Sequence, residues 1–180
     1  MEVDSENRGD AMIGLLAALF VWATSVGAFA SPPQPVFPDR QAIIEFQRAL
    51  DSYAFQHRQV ERRVGESADQ RTMAAGMRAA RPSPQDGDIF TPLVAMAFRQ
   101  RIAVALKSGG CEMPPFDRQN FEVPRPNGDA TMASALPECV SAMLPRLPEE
   151  LAYRVAGVRL VLVDTHAGLV VDVVPAAFPQ

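Results

Sequence analysis

The stretch LVLVDTHAGLVVDVV, Leu160 to Val174, sets two Val/Leu runs on either side of five turn-forming residues. Such runs favour extended chain, and Asp164–Gly168 is long enough only for a reversal, so the two runs must pair antiparallel. A third run, about Ala152–Val155, leads into them through Ala156-Gly157. Residues 151–175 therefore read as a three-stranded antiparallel meander, with strands near 152–155, 158–163 and 169–174. The middle strand is apolar on both sides, as suits its position. Strict alternation in the third puts Leu169, Val171 and Val173 on one face. Asp172 falls on the other with Val170 and Val174, which predicts a side at least partly wet.

Asp164, Thr165 and His166 sit at the bend. A turn accounts for them: the Asp carboxylate accepts nearby backbone N–H groups, and Gly168 supplies positive φ. The alternative makes Asp164 and His166 metal ligands, and such a site needs one or two further ligands with their own supporting hydrogen bonds. The only other histidine, His57, lies on a helical stripe and reads as a core or boundary residue.

That stripe is Ile43, Phe46, Leu50, Tyr53, His57, Val60 and Val64, spaced 3-4-3-4-3-4. Asp39 is the expected cap and Gly65 the C-terminal stop, so the helix spans about 26 residues, or about 39 Å. Ser67 and Gln70 match a capping box and predict a second helix with Met73, Met77 and Ala80 inward. Thr91 and Pro92 open a third, lined by Val94, Phe98, Ile102 and Ala105 or Leu106, which Gly109-Gly110 ends. The methionines read as core filler rather than metal ligands.

Only two cysteines occur, Cys111 and Cys139, and a proline-rich looped stretch separates them. In an oxidising compartment such a pair is expected to form a disulfide, the alternatives being two free thiols or a catalytic cysteine. Within the loop, Leu136–Leu144 is expected to hold a short helix opened by Pro137.

The N-terminus suggests that compartment. Ala11–Ala30 is uncharged and ends in Ala28-Phe29-Ala30, small residues at the positions signal peptidase reads. Residues 1–30 are therefore a signal peptide cleaved after Ala30 or, at about 30 Å of apolar helix, a retained membrane anchor. The first ten residues hold four acids and Arg8, an acidic start for an export signal. They also account for −3 of the −4 net charge, so the body of the chain is close to neutral. Nucleic acid is excluded as a partner by that neutrality. No nucleophile elbow, phosphate loop, zinc-protease helix, Cys-x-x-Cys or dinucleotide fingerprint is present.

The segments GDIFTP (Gly87–Pro92) and LPRLPEELAYRVAGVRLVLVDTHAGLVVDVVPAAFP (Leu144–Pro179), with the leader, resemble a family of exported bacterial proteins of unknown function. The last 30 residues are also similar to the C-terminal hairpin of periplasmic RcnB-type nickel/cobalt-homeostasis proteins. The first resemblance implies export and helices followed by a hairpin; the second implies metal response.

The expected protein is α+β: an N-terminal signal or anchor helix (1–30), a proline-rich lead-in (31–38) and one domain (39–180). That domain comprises a three-helix array (39–108), a looped segment (109–150) tied by Cys111–Cys139, and the meander (151–175). The expected function is that of an exported, periplasmic or secreted, non-enzymatic binding or structural module. No cofactor is expected, the partner is left open with a cell-envelope protein as one candidate, and membrane contact is only through an uncleaved residue 11–30 segment. The alternatives are an RcnB-like metal-responsive protein and a hydrolase, which needs Ser or Cys within reach of His57 or His166.

Overall fold

The computed structural model describes residues 38–107, 111, 124–131 and 133–179. The expected leader, nearly all of the lead-in, Gly109-Gly110 and part of the looped segment lie outside the described residues. Among the described residues four helices and four strands follow in the order α1 (Pro38–Val64), α2 (Gln70–Ala80), α3 (Pro92–Lys107), β1 (Ser134–Ala135), α4 (Glu138–Ser141), β2 (Leu151–Ala156), β3 (Arg159–Asp164) and β4 (Leu169–Val174). The strands form one antiparallel sheet in sequential order, four strands rather than three. The additional strand pairs Ser134 with Val155 and Ala135 with Arg154, and two residues carry too little pattern to announce themselves.

Along α1 the stripe is buried as its spacing requires, with Phe46, Leu50, Tyr53, His57 and Val60 all 4 % exposed or less. Pro38 opens the helix, where its missing N–H costs nothing. Asp39 lies inside the first turn, and its carboxylate binds the Arg101 guanidinium of α3 through bonds of 2.8 and 2.6 Å. Those bonds hold its pKa below the usual carboxylate value.

Two local expectations are corrected at α2. Asp69, not Ser67, is its cap, and its carboxylate accepts the Thr72 N–H at 2.7 Å. Ser67 is taken by the turn that closes α1, where Gly65 adopts φ 99° and accepts the Ala68 N–H. The helix then rotates Ala74 into the core beside Met73 and Met77, and leaves Ala80 exposed.

Phe46 is the centre of the helical core. Its ring lies 4.8 Å from Phe98, 5.6 Å from Phe90 and 6.5 Å from Tyr153. The same cluster takes in Leu151, Val155, Leu160, Leu162, Leu169, Val171 and Val174, so the helices cover one face of the sheet. A smaller cluster on the other face joins Ala156, Val161, Val163, Val170 and Val173, with Ala130 and Ala133 against it.

Membership of those clusters overturns the expected faces of β4. Leu162 pairs with Asp172 but Val163 pairs with Val170, so Val171 is an extra residue in the ladder. This bulge resets the alternation. Val173 moves to the outer cluster and Val174 to the helical one. Asp172, expected on a wet side, is turned beneath the helices and fully buried, as is every residue of β4.

Cys111 and Cys139 are joined by a disulfide with Cα atoms 5.7 Å apart, bridging 28 residues of sequence. It anchors α4, whose Val140 is completely buried in the helical core. Replacing both cysteines with serine is expected to lower stability by about 3.5 kcal/mol through restored loop entropy in the unfolded chain. Urea unfolding of the double variant against the oxidised protein measures it, and matching midpoints would contradict the estimate.

Candidate functional site

Tyr53, His57 and Glu61 stand on successive turns of α1, at i, i+4 and i+8, and therefore on one line of the helix surface. Opposite them β3 ends at Asp164 and the chain reverses through Thr165, His166, Ala167 and Gly168 into β4. Asp164 pairs with Leu151 on one side and Leu169 on the other, at the end of the strands that meets this line of α1.

Asp164 has the role its position in the sequence suggests: Oδ1 accepts the Ala167 N–H at 2.7 Å and closes the turn. Its other oxygen does more. Oδ2 accepts the Tyr53 hydroxyl at 2.7 Å, and His57 Nε2 lies 3.4 Å away. Asp164 is fully buried and His57 is 3 % exposed. The His57 Nε2 contact is not aligned as a hydrogen bond, and among the described residues no other partner satisfies this buried nitrogen.

His166 points to a second pair. Its Nδ1 is 3.5 Å from Glu61 Oε1, and both side chains are a little over a quarter exposed. The His57 and His166 rings are 5.5 Å apart. The cluster thus runs from a buried Tyr–Asp–His core to a half-buried His–Glu pair. Arg81, beyond the end of α2, places its guanidinium 5.1 Å from the Tyr53 ring centre and 3.6 Å from Asp88.

Burial and charge act together on these groups. Burial drives the Tyr53 phenol far above its ordinary pKa, and the Asp164 carboxylate adds to this, so Tyr53 remains a donor. Burial favours neutral Asp164, but the contacts from His57, the Ala167 N–H and Tyr53 outweigh it and set its pKa below the ordinary value. Burial likewise favours neutral His57, but Asp164 and then Glu150 and Glu61 outweigh it and the net direction is upward. Both directions favour the imidazolium–carboxylate form of the pair over the neutral one.

The two metal-ligand candidates, Asp164 and His166, face different partners: Asp164 turns inward to Tyr53 and His57, and His166 turns to Glu61. Among the described residues, no group of three or more His, Cys, Asp or Glu is placed to hold a metal ion. Both cysteines are consumed by the disulfide, which removes a thiol nucleophile. An Asp–His–Tyr set can move protons in principle, and here all three side chains are buried.

Accessible polar surface gathers beside this centre, in an open cleft of about 580 Å³. Asp69, Arg71, Ala74 and Arg78 form the α2 wall, Asp129 and Thr131 the opposite one, and Ala167 and Gly168 belong to the turn that Asp164 closes. Arg78 spans the cleft to Asp129 at 2.8 Å and also donates to the Asn127 carbonyl at 3.2 Å. Gly168 has φ 64°, and a Cβ there would overlap the Gln70 side chain. Gly168→Ala is therefore expected to cost about 1–2 kcal/mol from backbone strain, before any displacement of Gln70. A melting temperature equal to wild type would refute it.

Sequence reasoning placed Tyr53 and His57 on the buried stripe but did not join them to Asp164. The available signal was the stripe itself: a phenol and an imidazole one turn apart on an apolar face require a buried partner. No protein-family model, curated protein or solved structure matches the chain.

Proposed function

We propose that the protein works outside the cytoplasm as a non-enzymatic binding module, with the cleft between α2 and the β3–β4 turn as its contact surface. One observation carries this reading. The residues able to do acid–base chemistry are turned inward onto one another, while the polar groups open to solvent line a concave surface beside them. The cleft presents both signs of charge, which suits a polar protein or peptide partner from the cell envelope.

The disulfide supports export. A bond around a 28-residue separation persists in an oxidising compartment and is kept reduced in most cytosols. Among the described residues no helix is long and apolar enough to cross a membrane, and the 11–30 segment lies outside them. The expected course is cleavage after Ala30 and release from the membrane.

The test is a pull-down from cell envelopes with the protein and an Arg71→Glu/Arg78→Glu variant as paired baits. Proteins retained by the first and lost by the second support the cleft as the contact surface. Identical retained sets would reject it. Turnover of an ester or peptide substrate abolished by His57→Gln would replace the binding role with a hydrolytic one. Stoichiometric nickel or cobalt in the purified protein would favour the RcnB-like alternative.

A further inference from the structure

We propose that the contact between His57 and Asp164 is a pH-sensitive latch, fastening α1 to the β3–β4 turn and, through that turn, setting one wall of the cleft. The proposal does not depend on which ligand the cleft takes.

The geometry ties the strength of this contact to the charge on His57. Nε2 is buried, faces Asp164 Oδ2 at 3.4 Å and has no well-aligned hydrogen bond. A neutral ring either faces the carboxylate with a lone pair, which is repulsive, or keeps its proton on Nε2 and offers only a poorly aligned uncharged N–H. With both nitrogens protonated, the same contact joins opposite charges where water does not screen them. Asp164 passes the effect on, because its Oδ1 holds the Ala167 N–H and Ala167 and Gly168 line the cleft.

The surroundings favour the charged ring. From α1 come Glu61 and the Tyr53 hydroxyl, the latter holding Asp164 in place. Glu150, ahead of β2, adds negative charge, and its carbonyl accepts both the backbone N–H and the hydroxyl of Thr165 in the same turn. The His166 ring lies 5.5 Å away beside Glu61, and the Arg81 guanidinium stands over the Tyr53 ring.

The sign of the pH effect follows. His57 titrates above its ordinary 6.5 in the fold, so its contribution is complete below 6.5 and disappears as pH rises through the folded value. Asp164 titrates below its ordinary 3.8, so its contribution is complete above 3.8 and is lost only as pH falls further. The latch is fastened between those limits and loosens on the alkaline side.

Melting temperature measured from pH 5.5 to 9 tests this on the protein as purified from expressing cells. The wild type is expected to lose about 3–6 °C above neutrality, a shift readily resolved for a chain of this length. His57→Gln should abolish that slope and His166→Gln should keep it. A flat wild-type profile, a slope that survives in His57→Gln, or one that vanishes in His166→Gln overturns the proposal. Should His57→Gln fail to fold, ring-proton NMR on the wild type decides, since a His57 midpoint below 6.5 is equally fatal. Hydrogen exchange adds a structural readout: the Ala167 amide should lose protection across the transition while the Ile89 amide does not. Equal loss at both would reject the latch in favour of general loosening.

Discussion

Replacing Asp172 with alanine is expected to destabilise the domain by about 3–5 kcal/mol, because four backbone N–H groups, that of Val173 and three in the loop before α3, lose one carboxylate. Gly87 donates to Oδ1 at 2.9 Å, while Ile89 and Phe90 both donate to Oδ2 at 2.7 Å. The carboxylate is fully buried, and Ile89 and Phe90 are each 3 % exposed, so water does not readily replace the lost acceptor. The effect should spread beyond the loop. Those residues deliver Phe90 to the aromatic cluster and lead straight into Thr91, which accepts the Ala95 N–H at the start of α3. Asp172→Asn retains one acceptor oxygen and should lose about 1–2 kcal/mol. Urea unfolding at neutral pH separates the cases, and an alanine variant within 1 kcal/mol of wild type would show that the loop finds other acceptors.

The second large effect is expected at Phe46. Its ring is fully buried and contacts Phe90, Phe98 and Tyr153, which come from three different parts of the chain. Phe46→Ala removes about 3–5 kcal/mol, through lost transfer free energy and the cavity that remains. Phe46→Leu refills most of that volume and should recover more than half of it. Both can be read from thermal unfolding followed by far-UV circular dichroism. The contrast between Ala and Leu separates a packing role from any need for aromaticity, since equal losses would implicate the ring contacts themselves.

Legibility in the sequence followed the range of the interactions. The stripe from Ile43 to Val64 is set by one helix and was readable, as were Thr91-Pro92 and the turn at Asp164–Gly168. The start of α2 was misjudged because Ser67 and Asp69 are both able caps, and the choice between them rested on the turn closing α1. Asp172 was assigned to the wrong face because a bulge leaves no mark in a run of valines. The polar centre was the least accessible, since Tyr53 and Asp164 meet across 111 residues. Its two halves were each visible, one as a polar interruption of a helix stripe and the other as the opening of a turn. Their meeting depended on how α1 lies across the sheet.

The outer side of β4 has a further consequence. Asn127 donates to the Val170 carbonyl, the Val170 N–H returns to Gly128, and the Ala130 N–H reaches the Gly168 carbonyl. The far margin of the sheet is β1, only two residues long. The Gly168 and Val170 backbone groups on the β4 rim are thus already occupied and do not recruit a strand from a neighbouring copy. For a chain so rich in valine, this is protection against fibrous aggregation when the protein is crowded with others of its kind.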